Sequence, residues 1–248
     1  MKRPFALTVI VAILIIAAFG ALSTETVVSR VWPFANDFLR GVFLSEFHAE
    51  FGTDAVIRQR YFPDYHYKGT MVEVGAGPPV YYSMSKHWRD TGWRCVCIEP
   101  NPKFVAQHRA AGNEIYQLAC AAENKKDVDF QIVTEDRQWA TENDGLSSSA
   151  LAIGETDSNH ARIATIKVEV RRLDDILHDL NVSDVDLVSI DVEGWELEVM
   201  RGFTMRPRVI VLENSDHDPK QAEFMKERGY RLDGKVQYNY LYVRDGAL

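Results

Sequence analysis

An α/β domain with a mostly parallel sheet is what this sequence predicts, on three observations. Short apolar runs alternate with amphipathic stretches through most of residues 66–248. Several of those runs end in a carboxylate or a glycine pair. The last segment, "YRLDGKVQYNYLYVR", reads as a two-stranded antiparallel addition to the edge. Repeated βα units place helices on both faces of a parallel sheet.

Thr70–Val74 reads as a strand running into Gly75-Ala-Gly77, with a helix over Val80–Asp90 stopped at Gly92. "WRCVCI" is a buried strand ending at Glu99, Asn101-Pro102 starts a helix that Gly112 closes, and Ile115–Cys120 is a third strand. "DVDFQIV" and "TIKVEVRRL" alternate in polarity as two further strands. The polar stretch between them, Thr134 to Arg162, has the length of a lid. "LDDILHDL" is a short helix, Asp186–Ile190 a strand with Asp191 at its end, and "EGWELEVMRG" a helix. Val209–Leu212 is a strand with Glu213 and Asn214 beyond it, and Pro219–Arg228 is a helix stopped at Gly229. The final two strands are expected to join through Asp233-Gly234.

Ahead of the domain, Phe5–Leu22 is an uncharged apolar run with the length of a membrane-spanning helix. A signal anchor over residues 1–22 is expected, with a cleaved signal peptide as the alternative. Residues 23–65 read as a linker in which Phe38, Leu39, Val42, Phe43 and Phe47 recur at helical spacing. The flanking charges leave orientation open. Cys95, Cys97 and Cys120 lie in expected strands, show no metal or disulfide spacing, and are read as buried small hydrophobes, which favours a cytosolic face. A net charge of −8 argues against a nucleic-acid partner.

In such a sheet ligands bind beyond the carboxyl ends of the strands. Gly75, Ala76 and Gly77 let the backbone approach a ligand closely, while Pro78 and Pro79 are expected in the first turn of the next helix, where they remove N–H donors that a pyrophosphate would need. Glu99 stands where a carboxylate meets a ribose diol in nucleoside-binding folds, so a nucleoside without pyrophosphate is expected. Asp191 ends its strand, and Glu193 in the next turn is either functional or a first-turn carboxylate on the helix dipole. Glu213, Asn214, Asp216, His217 and Asp218 form with Asp191 an oxygen-rich set of the kind Mg²⁺ selects, or a solvated loop. Tyr82-Ser-Met-Ser-Lys86 matches a dehydrogenase spacing but sits directly after the glycine turn and is set aside.

"VEVGAG", "CIEPNP", "RRLDDIL" and "VDLVSIDVEGWELEVMRGF" together resemble the FkbM-type branch of class I methyltransferases dependent on S-adenosylmethionine. The resemblance runs from about Gly69 to Arg244. It implies a Rossmann-like, seven-stranded, mostly parallel sheet whose last strand is antiparallel. It also implies Glu73, Gly75 and Gly77 in the cofactor turn, Glu99 on the ribose hydroxyls and Asp191 near the methyl group. The implied reaction is O-methylation of a sugar or small-molecule hydroxyl; an alcohol must lose its proton as it attacks, so Asp191, a neighbouring acid or His217 is the expected base. A weaker likeness to catechol O-methyltransferases makes Asp191, Glu213 and Asn214 candidate Mg²⁺ ligands. The competing readings are a nicotinamide-dependent oxidoreductase and a membrane-tethered, non-catalytic nucleoside-binding domain.

Overall fold

The computed structural model describes residues 46–135, 150–151, 162–215 and 217–247. The expected anchor, most of the linker helix, most of the expected lid and Asp216 lie outside the described residues. Among those described, no helix is long and apolar enough to cross a membrane.

The chain divides into two units, Met1–Ser45 and Glu46–Leu248. The second opens with a 3-10 turn, Glu50–Gly52, and helix α1, Thr53–Tyr61. Its main sheet holds strands β1 (Thr70–Val74), β2 (Arg94–Ile98), β3 (Ile115–Tyr116), β8 (Leu187–Ile190), β9 (Val209–Glu213), β10 (Tyr230–Val236) and β11 (Asn239–Arg244). Their spatial order is β10-β11-β9-β8-β1-β2-β3. Every pair from β9 to β3 is parallel, and β11 runs antiparallel to both its neighbours. The seven strands and the antiparallel last strand are as expected. The hairpin forms the edge of the sheet as expected, with β11 as its inner strand between β9 and β10.

Strand periodicity sorts the core. Val72, Val74, Val96, Ile98, Val188 and Ile190 pack on one face with residues of helices α4 (Leu173–Asp179), α5 (Glu196–Arg201) and α6 (Pro219–Glu227). Met71, Cys95, Leu187 and Val211 pack on the other with Ile57 and Tyr61 of α1 and Trp88 of α2 (Lys86–Asp90). Helix α3 (Pro102–Ala110) lends Val105 to a small cluster with Ala76 and Cys97. Both faces are covered, which is why the central strands read as continuous apolar runs. The three cysteines are free and buried.

A second sheet, ordered β4-β7-β5-β6, comprises β4 (Ala119–Cys120), β5 (Lys125–Glu135), β6 (Ala150–Leu151) and β7 (Arg162–Arg171). Phe130, Ile132, Val168 and Val170 form its core, while Asp129 opposite Lys167 makes a 2.6 Å ion pair on the other face. The single strand expected over Ile115–Cys120 is thus two, and it passes the chain from one sheet to the other.

Four further expectations change. The compact unit begins at Glu46 rather than at residue 66, because Ala49, Ile57, Tyr61 and Phe62 belong to the core. The helix expected from Val80 starts only at Lys86. The backbone is left-handed at Gly77 and Tyr82, and Arg89 of α2 binds both the Pro79 carbonyl and the Ser85 hydroxyl, holding an irregular loop. The prolines therefore belong to that loop and not to a helical first turn. Finally, the hairpin turns near Gln237, which is left-handed, while Asp233-Gly234 forms a bulge in β10. Asp233 is drawn inward by the Tyr61 hydroxyl at 2.8 Å and Arg60 at 3.0 Å.

Candidate active site

The ends of β1, β2, β8 and β9 bring the expected residues to one edge of the sheet. At the end of β1, Gly75 (φ +80°) meets the end of β8 directly: a Cβ on it would overlap the carbonyl oxygen of Asp191 and come within 2.9 Å of its carbonyl carbon. The Asp191 N–H in turn donates to the Val74 carbonyl at 3.0 Å. Only glycine permits this approach.

The donors of the glycine turn are all committed within the protein. Gly75 and Ala76 N–H both donate to the Ile98 carbonyl, at 3.0 and 3.1 Å, and Gly77 N–H donates to Glu99 Oε2 at 2.9 Å. No donor of this turn is left for a phosphate oxygen. Gly77 itself (φ +53°) faces open space, with nothing within 4 Å of where a Cβ would stand.

Glu99, 4% exposed, accepts from Gly77 N–H on one oxygen and from Asn101 N–H on the other, at 2.8 Å. A carboxylate offers about four lone-pair sites, so two remain for hydroxyl donors. Burial pushes the Glu99 carboxyl up to about 7, its two backbone hydrogen bonds opposing the shift and the charges of Glu73 and Asp191 adding to it.

His108 of α3 completes the turn and carried no sequence signal. Asn113 Nδ2 lies 3.1 Å from Nδ1, which assigns Nδ1 as the acceptor and leaves Nε2–H to donate to the Gly77 carbonyl at 3.1 Å. Burial, then the Arg89 charge, holds this imidazole down at about 4, so it is neutral.

Glu73 is buried beside the proline loop. It points to the α2 face, where one oxygen accepts from Met84 N–H at 2.8 Å and the other from the Ser85 hydroxyl. Its carboxyl is raised by burial, against the pull of Arg89. Both oxygens hold the proline loop in place behind the glycine turn.

Asp191 and Glu213 are hydrogen-bonded to each other, and burial is the first cause raising both carboxyls. Asp191 is exposed to solvent at the carboxyl end of β8. Two carboxyls in hydrogen-bond contact cannot both ionise cheaply, so the pair retains one shared proton near neutrality. Glu193 (φ +56°) is pushed up to about 7 by burial, then by Asp191, Glu196 and Glu50. Helix α5 begins only at Glu196, so Glu193 lies outside its first turn. Glu196 ties that turn instead, one oxygen accepting Val192 and Gly194 N–H at 3.1 Å each.

The metal expectation finds no support among the described residues. Asn214 spends its amide on Asp218, donating to the carbonyl at 3.1 Å and accepting from the N–H at 2.8 Å. Among the described residues no group of three His, Cys, Asp or Glu is arranged to hold a metal ion. His217 is placed over the last strand, with Nδ1 2.9 Å from the Tyr240 hydroxyl and its ring stacked at 6.2 Å on Tyr238. Its partners belong to β11 and the turn before it, leaving Asp191 as the base candidate. Tyr82 and Lys86 do not share a helix, since Tyr82 is in the loop and Lys86 begins α2, pairing with Asp90.

Residues 73–232 match the family described as the methyltransferase FkbM domain. Among solved structures, a precorrin-6y C5,15-methyltransferase from Geobacter metallireducens GS-15 aligns at 16% identity and a TM-score of 0.40, over 80% of this chain and 92% of that one. No curated protein matches.

Proposed function

The chain belongs to the FkbM methyltransferase family, and from that premise we propose that it methylates a hydroxyl oxygen of a sugar or small molecule, with S-adenosylmethionine as donor. The observation that carries this reading is the turn at Gly75–Gly77, whose N–H groups are all committed while Glu99 keeps two acceptor sites beside the open space at Gly77. A dinucleotide brings a doubly charged pyrophosphate, which would find no N–H donors in this turn and carboxyls all round. S-adenosylmethionine brings a ribose diol and two positive charges, which suit Glu99, Asp191 and Glu193.

When bound, S-adenosylmethionine supplies an electrophilic methyl on a sulfonium that departs as a neutral thioether. The protein's part is alignment and the proton. Asp191, exposed at the end of β8 and hydrogen-bonded by Glu213, accepts the acceptor hydroxyl's proton as the oxygen attacks. Its raised affinity for protons makes it a stronger base than an exposed aspartate. Gly75 and the Val74 carbonyl fix the Asp191 backbone against the cofactor turn, so base and cofactor site move as one piece. In the same proposal Phe5–Leu22 tethers the domain to a membrane with the domain on the cytosolic side, where the cofactor is made.

Calorimetric titration with S-adenosylhomocysteine and with NAD tests the cofactor. Binding of the first alone is expected, and binding of NAD in its place overturns the reading. Mass spectrometry of lipid and glycan fractions, with and without the gene, then seeks the methyl difference.

A further inference from the structure

Gly77 is gripped on two sides, by Glu99 on its N–H and by His108 on its carbonyl. A third hold reaches it through the prolines. Arg89 Nη2 donates to the Pro79 carbonyl and Nη1 to the Ser85 hydroxyl, with Nη1 3.7 Å from the Cys97 sulfur. The guanidinium thus ties the two ends of the proline loop together. The far end is itself fixed to β1, because Glu73 accepts from Met84 N–H at 2.8 Å and from the Ser85 hydroxyl. Glu73, Ser85, Arg89 and Pro79 form one chain of hydrogen bonds from the sheet back to the glycine turn.

Packing by the middle of the loop does not fix that end. Val80, Tyr81 and Tyr82 are 50%, 54% and 42% exposed, and Tyr82 bridges to Ala49, five residues beyond Gly77. Arg89 makes no ion pair among the described residues and reaches Glu73 only through Ser85. What a guanidinium offers here is its planar fork, which holds two acceptors at a fixed spacing.

The prolines carry that hold to Gly77. Each fixes its own φ, and Pro79 also restricts ψ of Pro78, so the segment between the two carbonyls is stiff. Gly77, at φ +53°, is the soft joint, because a glycine occupies several wells unless both its ends are held.

We infer that Arg89 is a positioning residue for cofactor binding: through the stiff Pro78-Pro79 segment it keeps Gly77 in the conformation that turns its N–H to Glu99. The inference rests on the methyltransferase reading of the same turn. The Arg89 charge also opposes protonation of His108, which leaves Nδ1 an acceptor for Asn113 and Nε2–H a donor to Gly77.

Calorimetry of the full chain with S-adenosylhomocysteine tests it, at a temperature where circular dichroism shows each variant folded. Arg89→Ala and Arg89→Lys should each weaken binding about tenfold, since lysine keeps the charge but cannot span both acceptors. Recovery of wild-type affinity in Arg89→Lys would assign the role to charge and overturn the inference. The prolines supply a readout that a purely structural arginine would not move. Pro78→Ala combined with Pro79→Ala should weaken binding about threefold or more, and adding Arg89→Ala should then change affinity by less than about threefold. Full affinity in Arg89→Ala, or losses that multiply, overturns the inference. The proline pair removes no hydrogen bond, so unchanged affinity in it alone overturns the inference even if Arg89→Ala does not fold. Failure of the wild-type chain to bind S-adenosylhomocysteine removes the methyltransferase reading itself.

Discussion

Gly75 and Asp191 touch through their backbones, the first residue after β1 pressed against the carbonyl of the first residue after β8. Any side chain at position 75 must push the two strand ends apart. Gly75→Ala is expected to destabilise the domain by about 3–5 kcal/mol and to abolish S-adenosylhomocysteine binding. Gly77→Ala, at a similar φ but facing open space, should cost only about 1–2 kcal/mol. Urea unfolding of the two variants compares them, and equal losses would contradict the contact.

The shared proton of Asp191 and Glu213 separates proton sharing from metal binding. Gln at position 213 can still donate to Asp191, so Glu213→Gln should retain kcat within about tenfold. Asp191→Ala should lower kcat at least about 100-fold with S-adenosylhomocysteine affinity nearly unchanged. Activity should persist in excess chelator. Loss of activity on chelation, restored by Mg²⁺, would reinstate Glu213 as a ligand.

Stability should fall as pH rises above neutrality. The folded pKa of Glu99 and of Glu193 is raised from 4.5 to about 7, and Glu73, Asp191 and Glu213 are raised as well. The folded state therefore holds more protons than the unfolded one. That stabilisation is complete below the ordinary carboxylate range and is lost as pH passes through the folded values. The lowered imidazoles of His87 and His108 act oppositely, but only below about pH 6.5, where the unfolded imidazole takes up a proton. Between about pH 6.5 and 8 the carboxyls decide, and Glu99 alone accounts for about 1 kcal/mol. Urea unfolding of the ligand-free protein at the two pH values checks the sign, and Glu99→Gln should flatten the slope.

His108 should matter to binding although it lies behind the turn. Its Nε2–H fixes the Gly77 carbonyl on one side of the Gly77 Cα, while the Gly77 N–H on the other side orients Glu99. His108→Ala is expected to weaken S-adenosylhomocysteine binding about tenfold and to cost about 1–3 kcal/mol of stability. Calorimetry beside urea unfolding reads both, and full affinity would show that Glu99 holds the turn unaided.

The legible parts of this protein are those written locally. Strands covered on both faces must be apolar, and their carboxyl ends turn to Glu99, Asp191 and Glu213, or to the bare Gly75, because that edge carries the site. Asn101 and Asp218 announce their helices by capping Lys103 and Lys220 N–H. Illegible were features set by partners far along the chain. The proline loop is irregular because Glu73 and Arg89 bind it, and Asp233-Gly234 bulges because Tyr61 and Arg60 reach Asp233. His108 reads as an ordinary helix residue until Gly77 is seen beside it.

The place of β11 between β9 and β10 sets the order in which the sheet can be completed. During synthesis β10 emerges before the strand that must separate it from β9, and among the described residues it pairs only with β11. Leu241, Tyr242 and Val243 are buried to 1% or less, so the middle of the sheet lacks its packing until they leave the ribosome. A nascent chain halted before Asn239 should remain protease-sensitive along β9 and β10, and close only when the final strand slides in.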